Sequence, residues 1–192
     1  MEIELDSLKT FINGICPMND LDWQAFSSRL QKMAFKKNDI LLNAGQTERY
    51  LSFITKGMVR LYIPKPGGDL TFGFVFENHF VTAYDSFITQ TPSLYEIETL
   101  ADTELWRISY RDLEDIYAKT ETGNIIGRKM AENMFLLKSA RELSLLNKTA
   151  EERYIDLFAE RPNLIKNIPL KYIASYIGVT PQALSRIRKR IF

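Results

Sequence analysis

Apolar and polar residues change their period twice along this chain. Over residues 2–36 the apolar positions fall at helical intervals. Leu5, Leu8, Phe11 and Ile12 share one face, Pro17 interrupts it, and a second piece capped at Asn19 or Asp20 carries Leu21, Trp23, Phe26 and Leu30. From Met33 to Ile108 short runs of strand length take over: Ile40–Leu42, Tyr50–Ile54, Met58–Ile63, Leu70–Phe76, Tyr95–Leu100 and Glu104–Ile108. Asn43-Ala44-Gly45, Lys56-Gly57 and the Pro64–Gly68 stretch separate them. Many short strands with turn punctuation predict a β-barrel or jelly roll.

The helical period then returns. Tyr110, Leu113, Ile116 and Tyr117 predict a short helix over 109–118, and a proline-free stretch from Gly123 to Asn147 predicts a long one. Along it Ile126, Met130, Asn133, Leu137, Ala140 and Ser144 recur at alternating four- and three-residue steps, with Leu136, Leu143 and Leu146 beside them. That is a diluted coiled-coil seam. Apolar residues on both sides of the helix predict one side on the barrel and the other on a second copy. Thr149 with Glu152 reads as a capping box for a helix through Phe158, closed by Pro162.

Beyond residue 168, Leu170, Ile173, Ala174 and Ile177 make one helical face, which Gly178 ends because glycine accepts the left-handed turn. Val179 plugs the corner, Thr180 caps the next helix, and Pro181 suits its first position, where a missing N–H costs nothing. Leu184, Ile187 and Ile191 mark the inward side of that second helix. The pattern is a helix-turn-helix. Its outward side carries Gln182, Ser185, Arg186 and Lys189, flanked by Arg188 and Arg190, residue types that contact base edges and phosphates.

Charge sharpens this picture. The net charge of the 192 residues is +1, yet from Arg161 onward there are seven Lys/Arg and no acid, leaving 18 Lys/Arg against 24 acids before it. A basic module on an acidic body is the electrostatic footprint of a nucleic-acid binder. No apolar run reaches membrane-spanning length and acids punctuate the N-terminus, so the expected location is cytoplasmic. Cys16 and His79 are each the single residue of their type, which excludes an intrachain disulfide and a multi-histidine metal site. No cofactor is expected.

Barrel, long helix, then helix-turn-helix: the order resembles the Crp/Fnr family of bacterial transcription regulators, related to the cyclic AMP receptor protein. Residues 35–46 (Phe-Lys-Lys-Asn-Asp-Ile-Leu-Leu-Asn-Ala-Gly-Gln) look like that family's opening strand and turn. Residues 50–62 (Tyr-Leu-Ser-Phe-Ile-Thr-Lys-Gly-Met-Val-Arg-Leu-Tyr) are similar to its next strand pair, and 100–108 to its closing strand. The resemblance implies an α+β chain in three parts: a cyclic-nucleotide-binding-like barrel over 1–122, a dimerisation helix over 123–147, and a DNA-binding domain over 148–192. It implies a homodimer joined along the long helix (Ile126, Met130, Asn133, Leu137, Ala140) that reads two-fold symmetric double-stranded DNA. The DNA-reading set is Thr180, Gln182, Ser185, Arg186, Arg188, Lys189 and Arg190, and RNA polymerase is a further partner.

One departure stands out. The family's cyclic-nucleotide binders seat the ribose with a Gly turn and a Glu, and pair the cyclic phosphate with an Arg. Here Thr82 falls at the Glu and Ser93 at the Arg, and from Thr71 to Leu105 there are six acids and no Lys or Arg. A phosphate would meet repulsion there, so cyclic AMP is not the expected effector. Thr82, Tyr84, Ser93 and Tyr95, with Phe87, are the candidates for lining a pocket for another small ligand, against core packing as the alternative. Two other function classes compete with the regulator: a cupin-type metalloenzyme, opposed by the single histidine, and a sensor acting through a protein partner, opposed by the basic C-terminal module.

Overall fold

The computed structural model describes the backbone of residues 2–191 and the side chains of residues 5–191. Two helices, α1 (Glu2–Ile15) and α2 (Asp20–Ser27), precede eight strands: β1 (Gln31–Phe35), β2 (Ile40–Leu42), β3 (Tyr50–Lys56), β4 (Met58–Ile63), β5 (Leu70–Phe76), β6 (His79–Val81), β7 (Glu96–Thr99) and β8 (Thr103–Ser109). Helix α3 (Tyr84–Thr89) lies between β6 and β7. After β8 come α4 (Tyr110–Lys119), α5 (Gly123–Asn147), α6 (Ala150–Glu160), α7 (Pro162–Asn167), α8 (Leu170–Ile177) and α9 (Pro181–Ile191).

The strands form two antiparallel four-stranded sheets, ordered β1-β8-β3-β6 and β2-β7-β4-β5. Ile54, Val59, Leu61, Val81 and Ile97 fill the space between them. Because side chains alternate along a strand, Leu51 and Phe53 of β3 emerge on the opposite side. There they join Leu8, Ile12, Phe26, Trp106, Leu113, Ile116 and Ile126 in a second core that seats α1, α2, α4 and the start of α5 on the barrel. At the β3–β4 turn Gly57 has φ +98°, and a Cβ there would stand 2.7 Å from the Asp102 carbonyl, so both backbone conformation and space require glycine.

Three segments differ from the sequence expectation. Residues 31–35, read as the tail of a helix, are a strand, because β8 offers them a ladder and Met33 and Phe35 are the half-buried members of a period-two alternation. Helix α3 has only 6 residues and no side-chain N-cap bond, too short to leave a periodic signature. Pro162 ends α6 as expected but also opens α7 from its N-terminal turn. The capping box forms as read: the Thr149 hydroxyl accepts from the Glu152 N–H at 3.2 Å, and Glu152 accepts from the Thr149 N–H at 2.7 Å.

Helix α5 starts from a fixed point. The buried Asp22 of α2 accepts from the Thr122 hydroxyl at 3.0 Å, and Lys129 donates to the last carbonyl of α1, that of Ile15, at 2.9 Å. Among the described residues no helix is long and apolar enough to cross a membrane.

Candidate nucleic-acid interface and barrel crevice

The helix-turn-helix is built by local signals. Gly178 takes φ +84°, and the Val179 N–H donates to the Ala174 carbonyl at 2.9 Å, closing α8 with the left-handed cap that glycine favours. Ala174, fully buried, is small where the two helices meet. The Thr180 hydroxyl accepts from the Ala183 N–H at 3.2 Å, so Thr180 serves first as the cap of α9. Leu184 and Ile187 bury one side of α9 against Tyr154, Leu157, Leu164, Ile168, Ile173 and Ile177.

Gln182, Ser185, Arg186 and Lys189 are all exposed on the opposite side, within one turn of each other's rows. Arg188 and Arg190 flank them, Arg190 paired to Glu151 of α6 at 2.8 Å. Two further arginines hold the module in place. Arg153 donates through Nε to the Ile177 carbonyl at 3.0 Å and Arg141 through Nη2 to the Tyr176 carbonyl at 2.8 Å, satisfying carbonyls that the end of α8 leaves free. Burial, and then Arg161 and Arg153 nearby, lower the pKa of Arg141, partly countered by Tyr176.

A crevice of about 430 Å³ separates the barrel from α5. Of the sequence candidates, Thr82, Tyr84, Phe87 and Tyr95 lie along it, with Tyr117 and Met134. Ser93 does not. It is buried behind the wall, its hydroxyl donating to the Tyr95 carbonyl at 2.8 Å and accepting from the Tyr95 N–H at 3.2 Å, because the segment before β7 turns back on itself there. The Tyr95 hydroxyl donates to Asp85 at 2.5 Å, and burial followed by that bond raises its pKa. Burial likewise pushes Tyr117 up to about 12, so both phenols stay neutral donors.

The crevice offers a phosphate little. Its only charged lining side chains are Glu114 and Lys138, and no arginine lines it. Glu48, which no sequence pattern singles out, closes the neighbouring donor set. Its buried carboxylate accepts from the N–H groups of Arg49 (2.9 Å), Tyr50 (3.0 Å) and Ala83 (3.4 Å), the last being the residue that opens α3. Converging backbone N–H groups form a cradle for an anion, and here the chain's own carboxylate takes them. Burial raises the Glu48 pKa, with the three N–H bonds and Arg107 opposing it.

The α5 residues expected to form a dimer seam divide between two environments. Ile126 is buried in the chain's own core and Met130 is half-buried against it. Leu137 faces the crevice while 54% exposed, and Asn133 and Ala140 are exposed nearby. The reason is Gly127, whose missing Cβ lets α5 close onto Tyr117; an added Cβ would sit 2.7 Å from the Tyr117 hydroxyl. With that side turned to the barrel, the outward stripe is Phe135 (69% exposed), Leu136, Leu143 and Leu146 (74% exposed). The 136, 143, 146 spacing is itself heptad-like.

His79, the single histidine, is exposed on β6 with its ring nitrogen 3.0 Å from the Glu77 carbonyl. Among the described residues no group of three His, Cys, Asp or Glu is placed to hold a metal ion.

Residues 32–120 match the family model of the cyclic nucleotide-binding domain. No curated protein matches the sequence. Solved structures do match the fold. A CooA mutant from Carboxydothermus hydrogenoformans superposes with a TM-score of 0.69 at 14% identity, over 85% of this chain and 77% of that one. CLP, the c-di-GMP-responsive global regulator of Xanthomonas campestris, gives 0.68 at 15% identity, over 90% and 91%. FixK2 from Bradyrhizobium japonicum gives 0.69 at 17% identity, over 84% of each chain. Residues 32–120 thus resemble a cyclic nucleotide-binding domain, and the chain as a whole shares the α+β fold of these transcription regulators.

Proposed function

We propose that this protein is a transcription regulator that binds two-fold symmetric double-stranded DNA as a homodimer and does not use cyclic AMP as its effector. The observation that carries the reading is α9: one side buried in the module's core, the other presenting Gln182, Ser185, Arg186 and Lys189 to solvent in the most basic part of the chain. A helix of this kind enters the major groove, with side chains near its start reaching base edges. The outward stripe of α5 supports a second copy, since exposed leucines in heptad register are what a parallel partner helix covers. The arginine-free crevice, with Glu48 in the adjoining donor cradle, supports a small effector other than a cyclic nucleotide. Such a regulator works in the cytoplasm, is not an enzyme, and acts on RNA polymerase.

Selection of bound DNA from a random pool at fixed salt tests this directly. The expected result is a palindromic site whose half-site centres lie about 10 base pairs apart, or a multiple of that. An unenriched pool, or one asymmetric half-site, contradicts it. Sedimentation at micromolar concentration should show a dimer, and a monomer removes the two-fold reading.

A further inference from the structure

Arg60 of β4 is 4% exposed, yet every nitrogen has a partner. Nε donates to Glu98 at 2.5 Å, one terminal nitrogen to Asp69 at 2.8 Å, and the other to the Thr71 hydroxyl at 3.4 Å. All of these belong to the barrel. The guanidinium carbon lies 3.8 Å from the Tyr62 ring centre, and the Tyr172 ring centre is 4.1 Å away. Tyr172 belongs to α8, so the plane of a barrel arginine packs against the DNA-binding module. Guanidinium groups stack well on aromatic rings, most strongly where water is excluded.

The same side of α8 makes two more contacts. The Ser175 hydroxyl accepts from the Thr71 N–H at 2.8 Å and donates to the Asp69 carbonyl at 2.7 Å, pairing with backbone groups at the exposed edge of β5. Tyr176 packs on Phe74 of β5 with ring centres 5.4 Å apart, while the Arg141 guanidinium carbon lies 3.7 Å from the Tyr176 ring centre. Positions 172, 175 and 176 form one helical stripe, which is docked on the barrel and not solvated.

We propose that this stripe of α8 is a rigid joint that fixes the angle of α9 for reading two half-sites at once, with Arg60 as its pin. Arg60 is a positioning residue: it acts on DNA affinity only through Tyr172. Its acidic partners sit in the barrel, so truncating Tyr172 leaves the guanidinium paired and the barrel intact. The joint also connects the crevice to the module. Leu61 lines the crevice, and its neighbour Arg60 projects to the other side of the same strand, so a displacement of β4 moves both. The inference rests on the two-half-site reading above.

The test uses the full chain with Tyr172→Ala and Ser175→Ala together, neither position being on the reading face of α9. Affinity for the selected full operator should fall tenfold or more, affinity for an isolated half-site should stay within about twofold, and a spacer library should show a broadened optimum, because only simultaneous engagement needs a fixed angle. Unchanged operator affinity, equal losses on both DNAs, or tighter operator binding each overturn the joint. Hydrogen exchange read without DNA separates its failure from that of the operator reading. The peptide over residues 69–74 should exchange at least tenfold faster in the Ser175→Ala variant. An unchanged rate removes the joint whatever the DNA does. Accelerated exchange in a protein that selects no two-half-site DNA shows the joint is there but withdraws its role in reading.

Discussion

The two ends of this molecule treat arginine in opposite ways. On α9, Arg186, Arg188 and Lys189 stand exposed on a helix without a single acid. In the barrel, Arg60 is enclosed by two carboxylates, a hydroxyl and two aromatic rings, and Arg107 lies with its guanidinium carbon 4.0 Å from the Tyr50 ring centre. A solvated guanidinium is available to a phosphate or a guanine edge; an enclosed one is already committed to its neighbours. The contrast separates cations left open to solvent on α9 from guanidinium groups the barrel already occupies.

On the proposed dimer, the most drastic way to break that contrast is to remove the second copy, because one helix-turn-helix alone would gain little from its exposed cations. Leu136→Asp combined with Leu143→Asp should turn the dimer into a monomer by sedimentation. Operator affinity should fall by roughly two orders of magnitude while half-site binding persists. The barrel side of the contrast is tested with cyclic AMP. Loss of a bidentate guanidinium–phosphate contact forfeits a few kcal/mol, roughly two orders of magnitude in affinity. Calorimetry at physiological salt should give no saturable heat in the micromolar range, and a micromolar dissociation constant would place a phosphate site where Glu48 holds the donors.

Smaller changes sharpen the comparison at α9. Arg186→Ala should cost about 1–3 kcal/mol and relax preference at one base pair, whereas Lys189→Ala should weaken all sequences alike and lower the salt slope by about one. Gln182 has a donor and an acceptor that match adenine, while a glutamate there would favour a cytosine amino group. Gln182→Glu should therefore shift one position of the selected sequence logo, and identical logos would remove Gln182 from the base readers. The smallest effect is in the barrel. Burial raises the Glu48 pKa in the folded state, so the stability tied to its protonated form is complete below the ordinary carboxyl pKa and fades as pH rises through the folded value. Glu48→Gln should gain on the natural protein, in melting temperature, as pH rises above the ordinary carboxyl range. A difference independent of pH would mean that the carboxyl does not titrate in the fold.

What was legible in the sequence follows the range of the forces involved. Gly178, Thr180 and Pro181 act within a few residues of themselves, so the helix-turn-helix could be placed to the residue. The strands from Tyr50 to Phe76 carry turn residues at their ends. Residues 31–35 carry none, and their conformation is decided by a partner about 70 positions away, Thr103–Arg107. The phase of α5 was illegible for a different reason. Both of its sides are apolar, and the choice between them is made by Gly127 against Tyr117, a contact between two helices. Glu48 is the extreme case: an acid in a turn looks solvated until residues 49, 50 and 83 bring their N–H groups to it.

The ion pair between Arg190 and Glu151 alters the ionic bookkeeping of α9. Counterions condensed on DNA are released in proportion to the free positive charge a protein brings, and Arg190 arrives already neutralised. To reach a phosphate it must first give up its carboxylate on α6, so its contact with DNA competes with a contact inside the chain. As long as that pair holds, α9 offers Arg186, Arg188 and Lys189 as uncommitted cations, three where the sequence shows four.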